Sequence, residues 1–113
     1  MPAQIQIPDG TAPSVNNNTL SKSAPADIWF SWSLVNNGDE DGDTNGIRWA
    51  LQDPSGSTAA GDSAPLQSVT AGSTVEQGAN IPASTFNAEG TYWANLVDPS
   101  GQNLGGARVD VTS

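Results

Sequence analysis

The sequence predicts an all-β fold: a single domain in which two antiparallel sheets, of about seven strands in total, pack face to face. Three observations support this prediction. Apolar residues recur with a period of two, and no segment shows the period of a helix. The chain contains twelve glycines and eight prolines among 113 residues, a share typical of a protein with many turns. Short apolar segments bounded by turn residues follow one another at intervals of roughly 8–20 residues, as in a β-sandwich.

Four segments alternate clearly enough to be predicted as strands with a defined inner face. Successive side chains of a strand point to opposite sides of its sheet, so every second residue faces the core. The predicted inward residues are Ile28, Phe30, Trp32 and Leu34; Ile47, Trp49 and Leu51; Tyr92, Ala94 and Leu96; and Ala107, Val109 and Val111. The segments 53–56 and 98–101 both read Asp-Pro-Ser-Gly, which predicts type I turns. Weaker patterns predict short strands at 66–69 and 74–75.

The first 25 residues differ in character from the rest of the chain. Residues 4–7 alternate and predict a short edge strand, whereas residues 11–25 are polar and predict an irregular arm. We therefore divide the chain into an N-terminal edge strand and arm at 1–25 and a β-sandwich at 26–113. A chain of this length supports one hydrophobic core.

Charge and missing residue types exclude several functions. Three basic residues stand against twelve acidic ones, so the formal net charge is −9, which disfavours nucleic acids and anionic membranes as partners. The chain has neither histidine nor cysteine, and therefore lacks the commonest general base, the commonest transition-metal ligand and any disulfide. We expect a protein that is not an enzyme.

Three stretches resemble a known family of modules: 28–38, 66–73 and 90–98, which carry an Asn-Asn-Gly, an Ala-Gly-Ser and a Gly-Thr-Tyr motif. Over about residues 26–112 the chain is similar to bacterial CARDB-type and related immunoglobulin-like modules. The resemblance implies an immunoglobulin-like antiparallel sandwich and a non-enzymatic surface, adhesion or spacer unit; such modules also occur on virions. Trp49 then takes the place of the buried tryptophan on the third strand, and Tyr92 that of a tyrosine corner.

An acidic loop at 39–46 is the candidate metal site. Asp41, Asp43 and Asn45 place oxygen atoms at positions one, three and five, and Gly46 follows at six, as at the start of a calcium-binding loop. The twelfth position holds Gln52 instead of a bidentate glutamate, so a site built from these residues and Asp39 would bind Ca²⁺ weakly. The alternative is a solvated loop whose residues serve turn geometry. No other cofactor is predicted.

The candidate interface residues are Trp29, Trp93 and Arg48, and alternation places both tryptophans on outward faces of their strands. The predicted topology puts the two strands in different sheets, so the indoles do not share one platform. They serve a protein contact or self-association, or they bind a sugar ring. In the remaining alternative the N-terminal arm covers one indole and Arg48 stacks on the other.

These features predict a non-enzymatic structural or interaction module. The first hypothesis is a small accessory, decoration-type subunit of a virion or a comparable assembly. It rests on a start Met without a signal-peptide pattern, one domain with an arm, an acidic surface and two outward tryptophans. One alternative is a module of a prokaryotic cell-surface or adhesion protein, and another is a weak calcium-dependent carbohydrate or ligand binder. We expect a protein partner or a second copy, on a virion or outside the cell.

Overall fold

The computed structural model describes residues 2–113, which form an elongated body of 50 × 22 × 22 Å. Its strands are β1 (Ile5–Gln6), β2 (Ser14–Val15), β3 (Thr19–Ser21), β4 (Ile28–Asn36), β5 (Gly42–Asp43), β6 (Arg48–Gln52), β7 (Thr58–Ser63), β8 (Ser68–Val69), β9 (Thr74–Ile81), β10 (Gly90–Val97) and β11 (Asn103–Thr112). A single turn of 3₁₀ helix spans Ala83–Thr85. No helix in the described part of the chain is long and apolar enough to cross a membrane.

Two sheets make up the sandwich. In the first sheet β4 is central, with β9 on one side and both β1 and β2 on the other. The second sheet has five strands in the order β3-β11-β10-β6-β7. All of these pairs are antiparallel except β3 with β11, which is parallel. A small ladder between β5 and β8 closes one end of the sandwich. The all-β, two-sheet fold predicted from the sequence is confirmed.

The core lies between the sheets and contains every residue that the alternation predicts, together with four that it does not: Leu20, Ala64, Ile81 and Phe86. Trp32 is 3% exposed and Trp49 is 7% exposed, so both indoles are core residues. The Trp32 Nε1 donates a hydrogen bond of 3.2 Å to the Gln77 Oε1. The Tyr92 hydroxyl accepts one of 3.0 Å from the Ala88 backbone N–H, which forms the predicted tyrosine corner. Every buried side-chain polar atom among residues 2–113 has a hydrogen-bond partner.

The predicted irregular arm needs correction, because it contributes strands to both sheets. Ser14 and Val15 pair with β4 of the first sheet, and Thr19–Ser21 pair with β11 of the second. Backbone hydrogen bonds explain the regular structure of this polar segment, since Asn16 donates to the Trp29 carbonyl and accepts from the Trp29 N–H through its side chain. Met1, the first residue of the predicted arm, lies outside the described residues.

Both Asp-Pro-Ser-Gly segments form the predicted turns. In each, the glycine N–H donates to the aspartate carbonyl at 2.9 Å, and the glycine has φ near +90°, a region that suits glycine. The Ser55 hydroxyl donates to the Asp53 carboxylate, which also accepts from the Ser55 and Ser57 N–H groups. The Ser100 hydroxyl and the backbone do the same for Asp98. These hydrogen bonds lower the pKa of both carboxyl groups, and the bond from the serine hydroxyl has the largest effect.

Candidate functional site

The outer face of the five-stranded sheet carries a half-exposed tryptophan at its centre. Trp93 is 47% exposed and lies on β10, which has a strand on each side. The register places Trp93 directly opposite Arg108 on β11 and Gln52 on β6. Directly opposite residues share one face of a sheet, so these three side chains form a row across the flat outer surface. We call this row and its outward neighbours the Trp93 face.

The Trp93 face concentrates positive charge on an acidic protein. Arg48 and Arg108 both point outward here, and the chain has only three basic residues. Arg108 is partly neutralised, because its Nε lies 3.4 Å from the Asp110 Oδ2. Asp110 also accepts a hydrogen bond of 2.8 Å from the Thr91 hydroxyl, which fixes its position. Arg48 has no ion pair within residues 2–113, so its charge remains available to a partner.

The predicted stacking of a tryptophan on Arg48 is wrong for Trp93. Arg48 pairs with Val97 and Ser63, whereas Trp93 pairs with Gln52, four residues further along β6. Four residues correspond to about 13 Å of strand, so the guanidinium and the indole occupy different parts of the face. The arginine beside Trp93 is Arg108. Without the strand register, the sequence does not show whether Arg48 or Arg108 lies beside Trp93.

Trp29 lies on the outer face of the first sheet, and the N-terminal arm does not bury it. The arm bonds to the Trp29 backbone, but the side chain remains 47% exposed. The indole lies over Gly78 of the neighbouring strand β9, so that a Cβ at position 78 would clash with three of its ring atoms. One ring face therefore packs on backbone while the other faces solvent. As the topology predicted, Trp29 and Trp93 lie in different sheets and form no common platform.

The structure does not bring the predicted calcium ligands together. Asp41 accepts a hydrogen bond of 2.9 Å from the Ala71 N–H, and Asp43 accepts one of 3.0 Å from the Asn45 N–H. Asp39 is also exposed on this loop. Among residues 2–113 no three acidic side chains converge on a point that a metal ion would occupy. The carboxylates thus support loop geometry, and Ca²⁺ binding remains a prediction from the sequence alone.

Two buried polar residues, which the sequence pattern did not single out, hold this loop. Asn36 is fully buried; its amide donates to the carbonyls of Glu40 and Val69 and its oxygen accepts from the N–H groups of Gln4 and Gly38. The Thr44 hydroxyl donates to the Pro65 carbonyl and accepts from the Gln67 N–H. The loop is therefore anchored at both ends.

A polar groove next to Trp29 is the feature that sequence reasoning missed. It has a volume of about 230 Å³ and is lined by Ala12, Ser14, Ser31, Trp32, Ser33, Glu76 and Gln77. The available signal was the alternation itself, since Ser31 and Ser33 share the outward face with Trp29. Their partners on β2 and β9 depend on strand register, which one sequence does not reveal.

No family model and no curated protein matches the chain. Solved structures do. An alkylpurine DNA glycosylase from Pseudomonas fluorescens aligns with 100% of the chain at 14% identity and a TM-score of 0.75. A β-glucosidase from Listeria innocua aligns with 98% of it at 12% identity and a TM-score of 0.71. The chain spans 32% of the glycosylase and 16% of the glucosidase.

A further match covers almost the full length of both aligned chains. An immunoglobulin-like protein from Pseudomonas aeruginosa aligns over 96% of this chain and 97% of its own, at 10% identity and a TM-score of 0.51. The fold is immunoglobulin-like. In this immunoglobulin-like sandwich, as in the resemblance noted above, Trp49 and Tyr92 are buried structural residues. At such low identities the alignments describe the fold alone.

Proposed function

We propose that this immunoglobulin-like domain is a non-catalytic interaction module that contacts a protein partner through the Trp93 face. The observation that carries the proposal is the position of Trp93: half-exposed, on the central strand of the five-stranded sheet, between Arg108 and Gln52. Tryptophan and arginine are the residue types that contribute most to binding at protein interfaces. A flat face suits a protein surface better than a small molecule, which needs a concave site.

The charge of the Trp93 face indicates what kind of partner surface it binds. The Trp93 face holds two of the three basic residues of a chain with net charge −9. An acidic patch on the partner is attracted to this face and repelled by the remaining surface, so that electrostatics orients the encounter. The exposed Arg48 supplies the charge that has no partner within the domain.

The absence of catalysis is part of the same proposal. The chain has no histidine or cysteine to act as base or nucleophile. Turn hydrogen bonds lower the pKa of Asp53 and of Asp98, whereas a carboxyl that serves as general acid needs its pKa raised. Both lie in exposed turns at strand ends.

Within this class, the first proposal for the biological role is an accessory, decoration-type subunit of a virion or comparable assembly. Its support is an acidic, elongated body whose five-stranded sheet carries an exposed tryptophan at its centre. The second proposal is a CARDB-type or related module of a cell-surface or adhesion protein. Its support is the resemblance of 28–38, 66–73 and 90–98 to such modules, together with solved structures in which the fold is 16–32% of a longer chain.

The test compares three forms of the chain: wild type, Trp93→Ala and Trp29→Ala. The probes are a second copy of the chain and the proteins encoded beside its gene, purified and measured by interferometry or sedimentation from about 10 μM to about 1 mM, a range that covers weak contacts. We expect Trp93→Ala to weaken binding at least about tenfold, as for an interface hot spot. Trp29→Ala serves as the matched control because its exposure is equal.

Two outcomes would contradict the proposal: no binding of any of these proteins by the wild type, or equal losses in both variants. The genes themselves separate the two roles. Capsid or tail genes next to this one support the assembly subunit, and a long multidomain reading frame supports the surface module.

A further inference from the structure

The groove beside Trp29 has the composition of a small-ligand site. Its walls carry the hydroxyls of Ser14, Ser31 and Ser33 and the carboxylate of Glu76. The Ser14 and Ser31 hydroxyls lie 3.4 Å apart. Ser33 and Glu76 make no side-chain hydrogen bond or ion pair within residues 2–113. Two hydrogen-bonding groups in the groove are therefore available to a ligand.

The register places the Trp29 indole beside this groove, although the indole is not one of the residues that line it. Gly78, on which the indole lies, is directly opposite Ser31, and Glu76 is directly opposite Ser33. The missing side chain at position 78 lets the ring lie flat, and the neighbouring serines leave a depression where larger residues would fill the surface. The indole thus lies over the residue directly opposite Ser31, which is one of the serines that line the groove.

We propose that this site binds a single neutral pyranose ring. The C–H face of a sugar is apolar and weakly positive, and it complements the negative face of an indole. The ring hydroxyls then reach Ser33 and Glu76, and a carboxylate acceptor makes the stronger type of hydrogen bond.

The site's size and charge narrow the ligand class. A volume of about 230 Å³ lies below the ~300–1,000 Å³ of pockets that hold drug-sized ligands, so one ring fits and the remainder of a glycan extends into solvent. Glu76 and the net charge of −9 disfavour uronic acids and phosphorylated sugars. A cage for an ammonium cation surrounds it with several aromatic rings, whereas Trp29 is the one exposed aromatic side chain on this sheet among the described residues.

We expect this sugar site to have a low affinity. A hexose has about twelve non-hydrogen atoms, and one ring on an open groove reaches a dissociation constant on the order of 1 mM. This sugar site is separate from the protein contact proposed for the Trp93 face, which lies on the other sheet. Either can fail without the other.

The experiment is an amide NMR titration of the ¹⁵N-labelled chain with neutral methyl pyranosides of the gluco, galacto, manno and N-acetylglucosamine types, each to about 50 mM, well above the expected dissociation constant. We expect at least one of them to shift the amides of Ser31, Ser33 and Gly78 and the Trp29 indole N–H. Trp29→Ala and Glu76→Gln should each weaken that binding at least tenfold, and Trp93→Ala should leave it unchanged.

A second variant keeps the tryptophan and removes only the platform. In Gly78→Ala the new Cβ occupies the space of the indole, so the ring must lift from β9 and binding should fall although Trp29 is present. Three outcomes would overturn the proposal. They are no shift with any pyranoside, an equal loss in Trp93→Ala, and shifts at Trp29 and Glu76 with choline chloride alone, which would make the site an ammonium site.

Discussion

At the scale of single residues, Asn36 explains why the acidic loop has one conformation. Its side chain is fully buried and makes four hydrogen bonds, all to backbone groups from three different segments. A buried amide of this kind contributes mainly because the groups that it satisfies would otherwise be left without partners. In the sequence, Asn36 was indistinguishable from the exposed Asn37 beside it, because both fit a turn.

Replacement of Asn36 by alanine should therefore destabilise the domain strongly. Each buried backbone group that loses its partner costs about 1–3 kcal/mol, so the free energy of unfolding should fall by about 3 kcal/mol after partial rehydration. Urea unfolding with an unchanged m-value would measure this loss. Asn37→Ala is the matched control and should change stability by less than about 0.5 kcal/mol. Similar values for both variants would show that Asn36 does not anchor the loop.

At the scale of elements, the two Asp-Pro-Ser-Gly turns make stability depend on pH in the acidic range. Hydrogen bonds lower the pKa of Asp53 and Asp98 in the folded state relative to the unfolded chain. Their stabilising contribution is therefore complete above the ordinary aspartate pKa of about 3.9, and it is lost as the pH falls below that value through the folded-state pKa.

The variant Asp53→Asn/Asp98→Asn should lower stability at neutral pH and flatten its decline below about pH 4, because the titrating carboxylates are gone. Urea midpoints measured across this range would show both effects. Asp9→Asn is the control, since Asp9 is exposed and makes no side-chain hydrogen bond within the described residues, and it should leave the curve unchanged. A double variant with the wild-type pH dependence would contradict the role of the turns.

The elements differ in how far the sequence determines them. Strand β4 alternates large apolar and small or polar residues, so both its existence and its inner face were predictable. Strand β7 reads Thr-Ala-Ala-Gly-Asp-Ser and was not predicted, because an exposed edge strand buries too little to need large apolar residues. Strand β9 was predicted for only two of its eight residues, since Gly78 breaks its pattern. That glycine has a tertiary reason, the indole of Trp29, which no local pattern shows.

The candidate sites were also only partly predictable from the sequence. The outward position of Trp29 and Trp93 was predictable from alternation, but their neighbours were not. Arg108 rather than Arg48 lies beside Trp93, and Glu76 lies beside the groove, because strand pairing brings together residues far apart in sequence.

At the scale of the whole molecule, the charge balance should govern the response to salt. A net charge of −9, of which the Arg108–Asp110 ion pair offsets little, leaves the folded state repelling itself. Sodium chloride screens this repulsion, so the melting temperature should rise, by about 4 °C or more for each kcal/mol removed. Calorimetry at increasing ionic strength would measure the rise, and a falling melting temperature would contradict it.

Calcium chloride at the same ionic strength provides the control and tests the acidic loop as well. We expect no additional stabilisation, because Asp41 and Asp43 already bond to backbone N–H groups and do not converge. A bound ion at tenfold excess over its dissociation constant would add about 1.4 kcal/mol. Such an increment, abolished in Asp41→Asn, would establish the Ca²⁺ site that the sequence motif predicts.

The distribution of the four indoles also gives the protein its own optical labels. Trp32 and Trp49 are buried between the sheets, whereas Trp29 and Trp93 are half-exposed to solvent, one on each face of the sandwich. The blue part of the fluorescence spectrum thus reports on folding, and the red part reports on the two surfaces. A collisional quencher such as acrylamide reaches only the second pair, so occupation of either face can be observed without attaching a dye.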